Sequence, residues 1–115
     1  MVIEQGDVVW VDLPPAAGSA PAGRRPALVL QHDRFNRSKI NTVVIVAITS
    51  NLKYSALPGN VRLSKGEAGL VKPSVANVTQ IATIDRGHVT GKLGRVTRAR
   101  LDEIWKGVLL VLEPG

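Results

Sequence analysis

The chain has 115 residues, 44% of them hydrophobic, enough for one domain that buries roughly 65% of its unfolded surface. It has no cysteine, which excludes disulfides and thiolate metal sites and is typical of a reducing cytoplasm. Fifteen lysines and arginines against nine acidic residues give a net charge of +6, which favours a polyanionic partner such as nucleic acid.

The N-terminus lacks the basic and apolar regions of a signal peptide, and the longest apolar runs are too short to span a bilayer. We therefore predict one cytoplasmic domain over residues 1–115, with no membrane partner. Residues 6–13 predict a strand with apolar side chains on both faces, as inside a barrel or beneath a helix. Glycine and proline then predict a loop at 14–23, and a second strand is predicted at 25–31.

The middle of the chain alternates between apolar runs and polar connections. In order, the pattern predicts a helical turn or irregular connection at 32–41, a very hydrophobic strand at 42–49, a loop at 51–59, a half-exposed strand at 60–64, a connection at 65–72 and a fifth strand at 74–84.

Glycines recur in residues 85–94, which predicts a connection there, followed by a short strand at Arg95 and Val96. Thr97 predicts the N-cap of a terminal helix with one buried face, which Gly107 weakens by about 1 kcal/mol relative to alanine. The expected apolar positions of that helix are Leu101, Ile104, Trp105, Val108, Leu109 and Leu112. The fold class is α+β, mainly β: a small SH3-like barrel of five to seven mostly antiparallel strands with a C-terminal amphipathic helix.

Several catalytic arrangements are missing from the sequence. It contains neither His-x-x-x-His nor Cys-x-x-Cys spacing, so we predict no metal site, and it contains no Gly-x-Ser-x-Gly elbow. His32 and His88 are remote in sequence, and we expect both to face solvent rather than to form an acid–base pair.

Polar candidates lie at strand ends. Arg24 and Arg25 stand where the loop at 14–23 meets a strand, a position suited to holding a phosphate, and in an extended chain they face opposite ways. Thr49 and Ser50 end the hydrophobic strand, as such residues also do without any function.

Polar residues also interrupt the strand at 74–84. Asn77 and Thr79 share one face by the two-residue period and can point to solvent. Gln80 falls on the opposite face of the strand, where its neighbours are apolar as in a core. We therefore predict that Gln80 is a buried amide, serving either as a structural bridge or as part of a site.

Five segments occur in a familiar order: Gly-Asp-Val-Val-Trp-Val-Asp-Leu at 6–13, Gly-Ser-x-x-x-Gly-x-Arg-Pro at 18–26, Asn36, the Thr49-Ser50 strand end, and Gln-Ile-x-Thr-Ile-Asp at 80–85. In combination they resemble the MazF/PemK (Kid) toxins of toxin–antitoxin pairs. The resemblance covers essentially the whole chain.

This resemblance implies a homodimeric, metal-independent endoribonuclease without cofactors that cuts single-stranded mRNA at a short sequence. The 2′-hydroxyl attacks, leaving a 2′,3′-cyclic phosphate and a 5′-hydroxyl. An antitoxin with an acidic, extended tail is implied to occupy the RNA groove. The family's catalytic arginine falls on Arg25 and its threonine on Thr49. The residues expected to bind RNA are Ser19, Arg24, Ser50, Lys53, Asn77, Thr79 and Gln80.

One departure concerns the general base. Many members carry Gly-Ser-Glu-Gln where this chain has Gly18-Ser19-Ala20-Pro21, so the loop carboxylate of some members is absent. Arginine is a poor proton acceptor, which leaves water, Asp7 or another acidic residue to take the proton of the 2′-hydroxyl. We expect slow catalysis that depends on positioning.

Two other functions fit the same sequence. One is a non-catalytic toxin on the same barrel that poisons a topoisomerase through its C-terminal helix and does not depend on Arg25. The other is a plain SH3-like or OB-like nucleic-acid-binding module. Such a module needs aromatic stacking platforms, for which one phenylalanine, one tyrosine and two tryptophans offer little.

Overall fold

The computed structural model describes residues 1–15 and 18–115, so two residues of the predicted loop at 14–23, Ala16 and Ala17, lie outside the described part. The elements of the described part are β1 (Asp7–Leu13), β2 (Gly23–Val29), α1 (Asp33–Asn36), β3 (Thr42–Thr49), β4 (Val61–Leu63), β5 (Ser74–Asp85), β6 (Val89–Arg95) and α2 (Arg98–Leu112). Short 3-10 turns occupy Leu52–Ala56, Glu67–Gly69 and Arg86–His88.

The strands form one curled sheet, a half-barrel, in the order β4-β5-β3-β2-β1-β6. Every paired strand runs antiparallel to its neighbour. The helix α2 follows the last strand. The predicted fold class, mainly β with a C-terminal helix, is therefore confirmed.

Strand β1 is buried on both faces, as its apolar pattern predicts. Val8 belongs to the core cluster that packs beneath α2, whereas Val9 and Val11 belong to a second cluster on the opposite face of the sheet. All three side chains are completely buried. Strand β1 also pairs with β2 and β6 along its two edges.

The prediction of a connection at 85–94 is wrong, because a seven-residue strand, β6, covers most of it and pairs with β1. One of the glycines that suggested a break, Gly94, instead allows close packing. A Cβ atom on Gly94 would lie 2.6 Å from the carbonyl carbon of Ala68, so only glycine fits there. The pairing with β1 also contains two register shifts, which are typical of an irregular edge.

A buried polar network fixes α1 to the sheet. The amides of Gln31 and Asn36 bond to each other, and Gln31 also bonds to β3 through Thr42 and Val44. The Gln5 backbone N–H donates to Asp33 at 2.7 Å and, with the Asn36 amide, holds the pKa of that carboxyl below its ordinary value of 3.8. Asn36 therefore has a structural role.

Helix α2 begins as predicted, since the Thr97 hydroxyl accepts a hydrogen bond from the Arg100 backbone N–H at 3.2 Å. Ile104 and Val108 are buried against the sheet. The prediction that Leu109 and Leu112 share this buried face is wrong, because they are 57% and 63% exposed. No helix in the described part of the chain is long and apolar enough to cross a membrane.

Gly107 lets α2 touch the segment that leads into β4. A Cβ atom on Gly107 would lie 2.0 Å from the carbonyl oxygen of Gly59 and 3.1 Å from a methyl group of Val78. Gly59 itself has a φ of +81°, which other residues rarely adopt. The glycine that lowers helix propensity thus permits the backbone contact between α2 and the sheet.

The turn at Glu67–Gly69 contains the strained residue Ala68, with a φ of +52°, and leads into Leu70. A bidentate ion pair anchors this turn to α2. Arg100 Nε and Nη2 lie 2.7 and 3.0 Å from the two carboxylate oxygens of Glu67. Burial raises the pKa of Glu67, but the hydrogen bonds from Arg100 and from the Ser64 backbone N–H outweigh it and leave this pKa below 4.5.

We expect Gly107→Ala to destabilise the protein even though alanine favours helices by about 1 kcal/mol. The new methyl group forces the Gly59 backbone away, and overpacking of this kind costs about 1–3 kcal/mol. Urea unfolding should therefore show a lower free energy of unfolding. Lys106→Ala, at an exposed neighbouring position of α2, is the control and should change it little. A more stable Gly107→Ala variant would contradict the contact.

A second prediction concerns acid stability. Because the folded-state pKa of Glu67 is depressed, its stabilisation is present above pH 4.5 and is lost as the pH falls through the lowered pKa. At pH 7 the free energy of unfolding of Glu67→Gln should be about 1–3 kcal/mol lower than that of the wild type. This difference in stability, the gap, should disappear in acid.

Denaturation curves at several pH values measure this gap. Asp102→Asn removes an exposed pair with Arg98 and should show almost no gap at any pH. A gap for Glu67→Gln that stays constant down to pH 2 would contradict the role of the ionised carboxylate.

Candidate functional site

A cleft of about 430 Å³ opens where β2 begins and β3 ends. It brings together four residues predicted from the sequence: Arg24 and Arg25 from β2, and Thr49 and Ser50 from the end of β3. The full lining is Trp10, Arg24, Arg25, Pro26, Ile48, Thr49, Ser50, Leu70, Val71, Lys72, Ser74 and Leu93.

The Arg25 side chain is half-buried and held along one edge. Its Nε and Nη2 atoms donate to the Ala22 carbonyl at 3.2 and 3.1 Å. Its Nη1 atom makes no hydrogen bond to the described residues, and no carboxylate in the described ranges lies within ion-pair distance. The guanidinium is thus oriented by a neutral acceptor and keeps its full charge for a ligand.

Arg24 lies over the ring of Trp10, with its guanidinium carbon 4.2 Å from the ring centroid. A cation at this distance over an indole face is stabilised by about 0.5–1 kcal/mol at an exposed site. The two adjacent arginines therefore both reach the cleft, and each is oriented by a different neutral group. Trp10 is a lining residue that the sequence reasoning treated only as part of the core.

Thr49 is half-buried, and its Oγ1 accepts a hydrogen bond from the Asn51 backbone N–H at 3.1 Å. The hydroxyl proton is therefore free to be donated to an oxygen of a ligand. Asn51 in turn accepts from the Lys53 backbone N–H at 3.2 Å, which extends the ordered segment away from the cleft. Ser50, exposed at the rim, adds a second hydroxyl.

Sequence reasoning missed Lys72, which lies just before β5, and Ser74, which is the first residue of β5. The Ser74 hydroxyl donates to the Lys72 carbonyl at 3.0 Å. The only sequence signal was the Lys72-Pro73 step after a connection, which does not predict a site. The cleft therefore contains the cations Arg24, Arg25 and Lys72, while none of its lining residues is acidic.

The remaining predicted RNA contacts lie outside this lining. Ser19 is exposed in the loop before β2, and Lys53 is exposed in the turn after β3. Asn77, Thr79 and Gln80 lie in a bulge of β5. Between the pairs Val46–Ile81 and Ile48–Ala76, β3 advances two residues while β5 advances five.

The bulge reverses the prediction for two amides. Gln80 is only half-buried and makes no side-chain hydrogen bond to the described residues, whereas Asn77 is 6% exposed. The Oδ1 atom of Asn77 accepts from Asn60 Nδ2 and from the Thr79 hydroxyl, each at 3.2 Å. The strict two-residue alternation used for this strand fails because the bulge adds residues to one side of the ladder.

Asp7 is wrongly placed to be a general base in the cleft. It is completely buried, does not line the cleft, and its Oδ2 atom bonds to the Glu4 backbone N–H at 2.8 Å and to Lys92 Nζ at 3.1 Å. His32 and His88 are exposed, as predicted, and neither lines the cleft. Within the described ranges, no group of three histidine, cysteine or acidic side chains could hold a metal ion.

Comparisons with known proteins agree with this architecture. The family described as PemK-like, MazF-like toxin of type II toxin–antitoxin system matches residues 4–112. Endoribonuclease MazF6 of Mycobacterium tuberculosis is 42% identical over 113 residues, covering 98% of this chain and 99% of that protein.

Two solved structures from Deinococcus radiodurans share the fold. The crystal structure of MazF has a TM-score of 0.82 at 27% identity and covers 99% of both chains. The MazE–MazF crystal structure has a TM-score of 0.77 at 26% identity and covers 100% of this chain and 99% of that one. From the family match and the full-length relative together, the chain belongs to the PemK-like, MazF-like toxins of type II toxin–antitoxin systems.

Proposed function

We propose that this toxin is a metal-independent endoribonuclease that cuts single-stranded mRNA at a short sequence in the cleft. The 2′-oxygen forms a bond to phosphorus while the bond from phosphorus to the 5′-oxygen of the next nucleotide breaks. The products are a 2′,3′-cyclic phosphate and a 5′-hydroxyl. The observation that carries this proposal is the oriented, uncompensated guanidinium of Arg25 in the same cleft as the Thr49 hydroxyl.

Arg25 stabilises the charge that grows on the scissile phosphate. An arginine guanidinium is always protonated in proteins, so Arg25 acts as a donor and not as a base. The hydrogen bonds to the Ala22 carbonyl fix its orientation before RNA binds, which avoids reorganisation during the reaction. A preorganised donor of this kind supplies about 3–4 kcal/mol.

Thr49 donates its hydroxyl proton to a non-bridging oxygen of the same phosphate, because its oxygen already accepts from Asn51. The lining residues include no carboxylate and no imidazole, so the 2′-hydroxyl proton passes to a water molecule. Arg25 hydrogen-bonds to the departing 5′-oxygen, which takes a proton from solvent. Without a strong base, the reaction is slow and depends on positioning.

Base recognition takes place beside the cleft. We assign it to the loop that contains Ser19, to the turn that contains Lys53 and to the bulge that contains Asn77, Thr79 and Gln80. Single-stranded bases can be splayed over such loops and hydrogen-bonded along their edges. Lys72 and Arg24, which line the cleft from different segments of the chain, bind the flanking phosphates.

We further propose that a cognate antitoxin blocks this cleft with an acidic, extended tail. The three cations attract carboxylates, and Trp10, Leu70 and Val71 offer apolar surface to side chains between those carboxylates. The MazE–MazF structure of Deinococcus radiodurans supports a partner of this kind. Since mRNA is the substrate, the site of action is the cytoplasm.

The protein is proposed to act as a homodimer through the apolar surface formed by α1 and the end of α2. Phe35, Leu109, Val111 and Leu112 are exposed there and adjoin an apolar groove of about 480 Å³ that Ile81 and Trp105 also line. Contiguous apolar surface of this kind on a soluble protein marks an interaction site. A second copy presents the same side chains and covers them symmetrically.

The cleavage proposal is tested on a long, unstructured RNA in excess EDTA, with the ends of the products identified chemically. We expect discrete cuts that carry 2′,3′-cyclic phosphates. Arg25→Ala should lower kcat by about 10²–10³-fold, and Arg25→Lys should restore little, because lysine retains the charge without the planar fork. Arg62→Ala removes an exposed arginine of β4 outside the cleft and should cut normally.

RNA that stays intact across varied sequences would contradict the nuclease and favour the protein-binding toxin. Near wild-type cleavage by Arg25→Lys would contradict the role assigned to the guanidinium.

The dimer proposal is tested by sedimentation. The wild type should sediment at twice the mass of one chain, and Leu112→Asp should sediment as a monomer because it buries an unpaired charge in the interface. Val2→Asp, which replaces another exposed aliphatic residue outside this surface, should remain dimeric. A monomeric wild type would contradict the proposed interface.

A further inference from the structure

Asn60 connects two segments that the proposed function assigns to base recognition. Its Nδ2 group donates to the Tyr54 carbonyl at 2.8 Å and to Asn77 Oδ1 at 3.2 Å. Its Oδ1 atom accepts from the Val78 backbone N–H at 2.9 Å. One half-buried amide thus ties the turn at Leu52–Ala56 to the bulge of β5.

The bulge needs this support because it has left the ladder with β3. Val78 lies between the last pair on one side, Val46–Ile81, and the first pair on the other, Ile48–Ala76. Its N–H group is satisfied by Asn60 instead of by a strand. A buried N–H group without an acceptor is strongly unfavourable, so Asn60 stabilises the bulged conformation itself.

The position of Asn60 is fixed from the opposite side by helix α2. The preceding residue, Gly59, has a left-handed backbone that packs against Gly107, so that a Cβ atom added to Gly59 would lie 3.0 Å from Gly107 Cα. In addition, the Asn60 backbone N–H donates to the Leu57 carbonyl at 3.2 Å. The backbone that carries the amide is therefore anchored by α2 and by Leu57.

The geometry points to Asn60 as a positioning residue that sets the separation between Lys53 and the pair Asn77–Thr79, and so determines which bases the enzyme accepts. This inference rests on the proposed function. Thr79 is exposed and donates to Asn77, whose Oδ1 atom is held by Asn60, so the orientation of both polar groups depends on the amide. The residues proposed to contact the reacting phosphate, Arg25 and Thr49, line the cleft and lie outside this cluster.

Two variants separate the contributions of the amide. Asn60→Asp has nearly the same volume and keeps an acceptor for the Val78 N–H, but it loses both donor bonds. Asn60→Ala loses all three bonds. The control is Asn41→Ala, an exposed asparagine whose side chain makes no hydrogen bond to the described residues.

The experiment measures three quantities for each variant: the sequence distribution of cuts in a mixed RNA, the kcat and KM on the preferred site, and amide hydrogen exchange without RNA. Both Asn60 variants should accept more sequences and raise KM about tenfold, the effect expected when the displaced polar groups lose one hydrogen bond to the RNA, with kcat within about twofold. Val78 exchange should accelerate in Asn60→Ala and stay slow in Asn60→Asp.

The outcomes distinguish this inference from the proposed function. If the wild type cuts no RNA, the proposed function fails, while Val78 exchange still tests the hydrogen bond. If the wild type cuts RNA and both variants keep its cut-site distribution, the specificity role is overturned. A loss of kcat equal at all sites, with KM unchanged, would also overturn it, since a merely destabilised enzyme behaves in that way.

Discussion

The contact between the backbones of Gly59 and Gly107 is the constraint on which much of this structure depends. It sets how closely α2 approaches the sheet, and it fixes the residue that precedes Asn60. From there the hydrogen bonds of Asn60 reach both the turn after β3 and the bulge of β5. A helix far from the reacting groups thereby holds the surface proposed to read the RNA.

Much of the fold could be predicted from the sequence. Strands β1 and β3 are long apolar runs with clear boundaries, and Thr97 is a strong N-cap, so their physical signals are local. Strand β6 was missed because its glycines were interpreted as breaks. Gly94 allows a close approach to the turn at Ala68, which is distant in sequence, and no local pattern encodes such an approach.

The candidate site was predictable only where a motif placed residues at strand ends. Arg25 and Thr49 come together because β2 and β3 are neighbours in the sheet, which the strand pattern already suggests. Lys72 reaches the cleft from a third segment, and that approach is purely tertiary. Asn77 is the buried amide instead of Gln80 because β5 contains a bulge. One inserted residue is enough to move all the following side chains of a strand to the opposite face of the sheet.

The cleft holds three cations within one small volume and has no acidic lining residue to compensate them. Like charges that line one cleft repel one another, so the folded chain carries an electrostatic penalty as long as no anion binds there. Any acidic occupant relieves that repulsion and adds its own binding free energy to the stability of the fold. With the proposed antitoxin tail in this cleft, the toxin would therefore be more stable than it is when free to act.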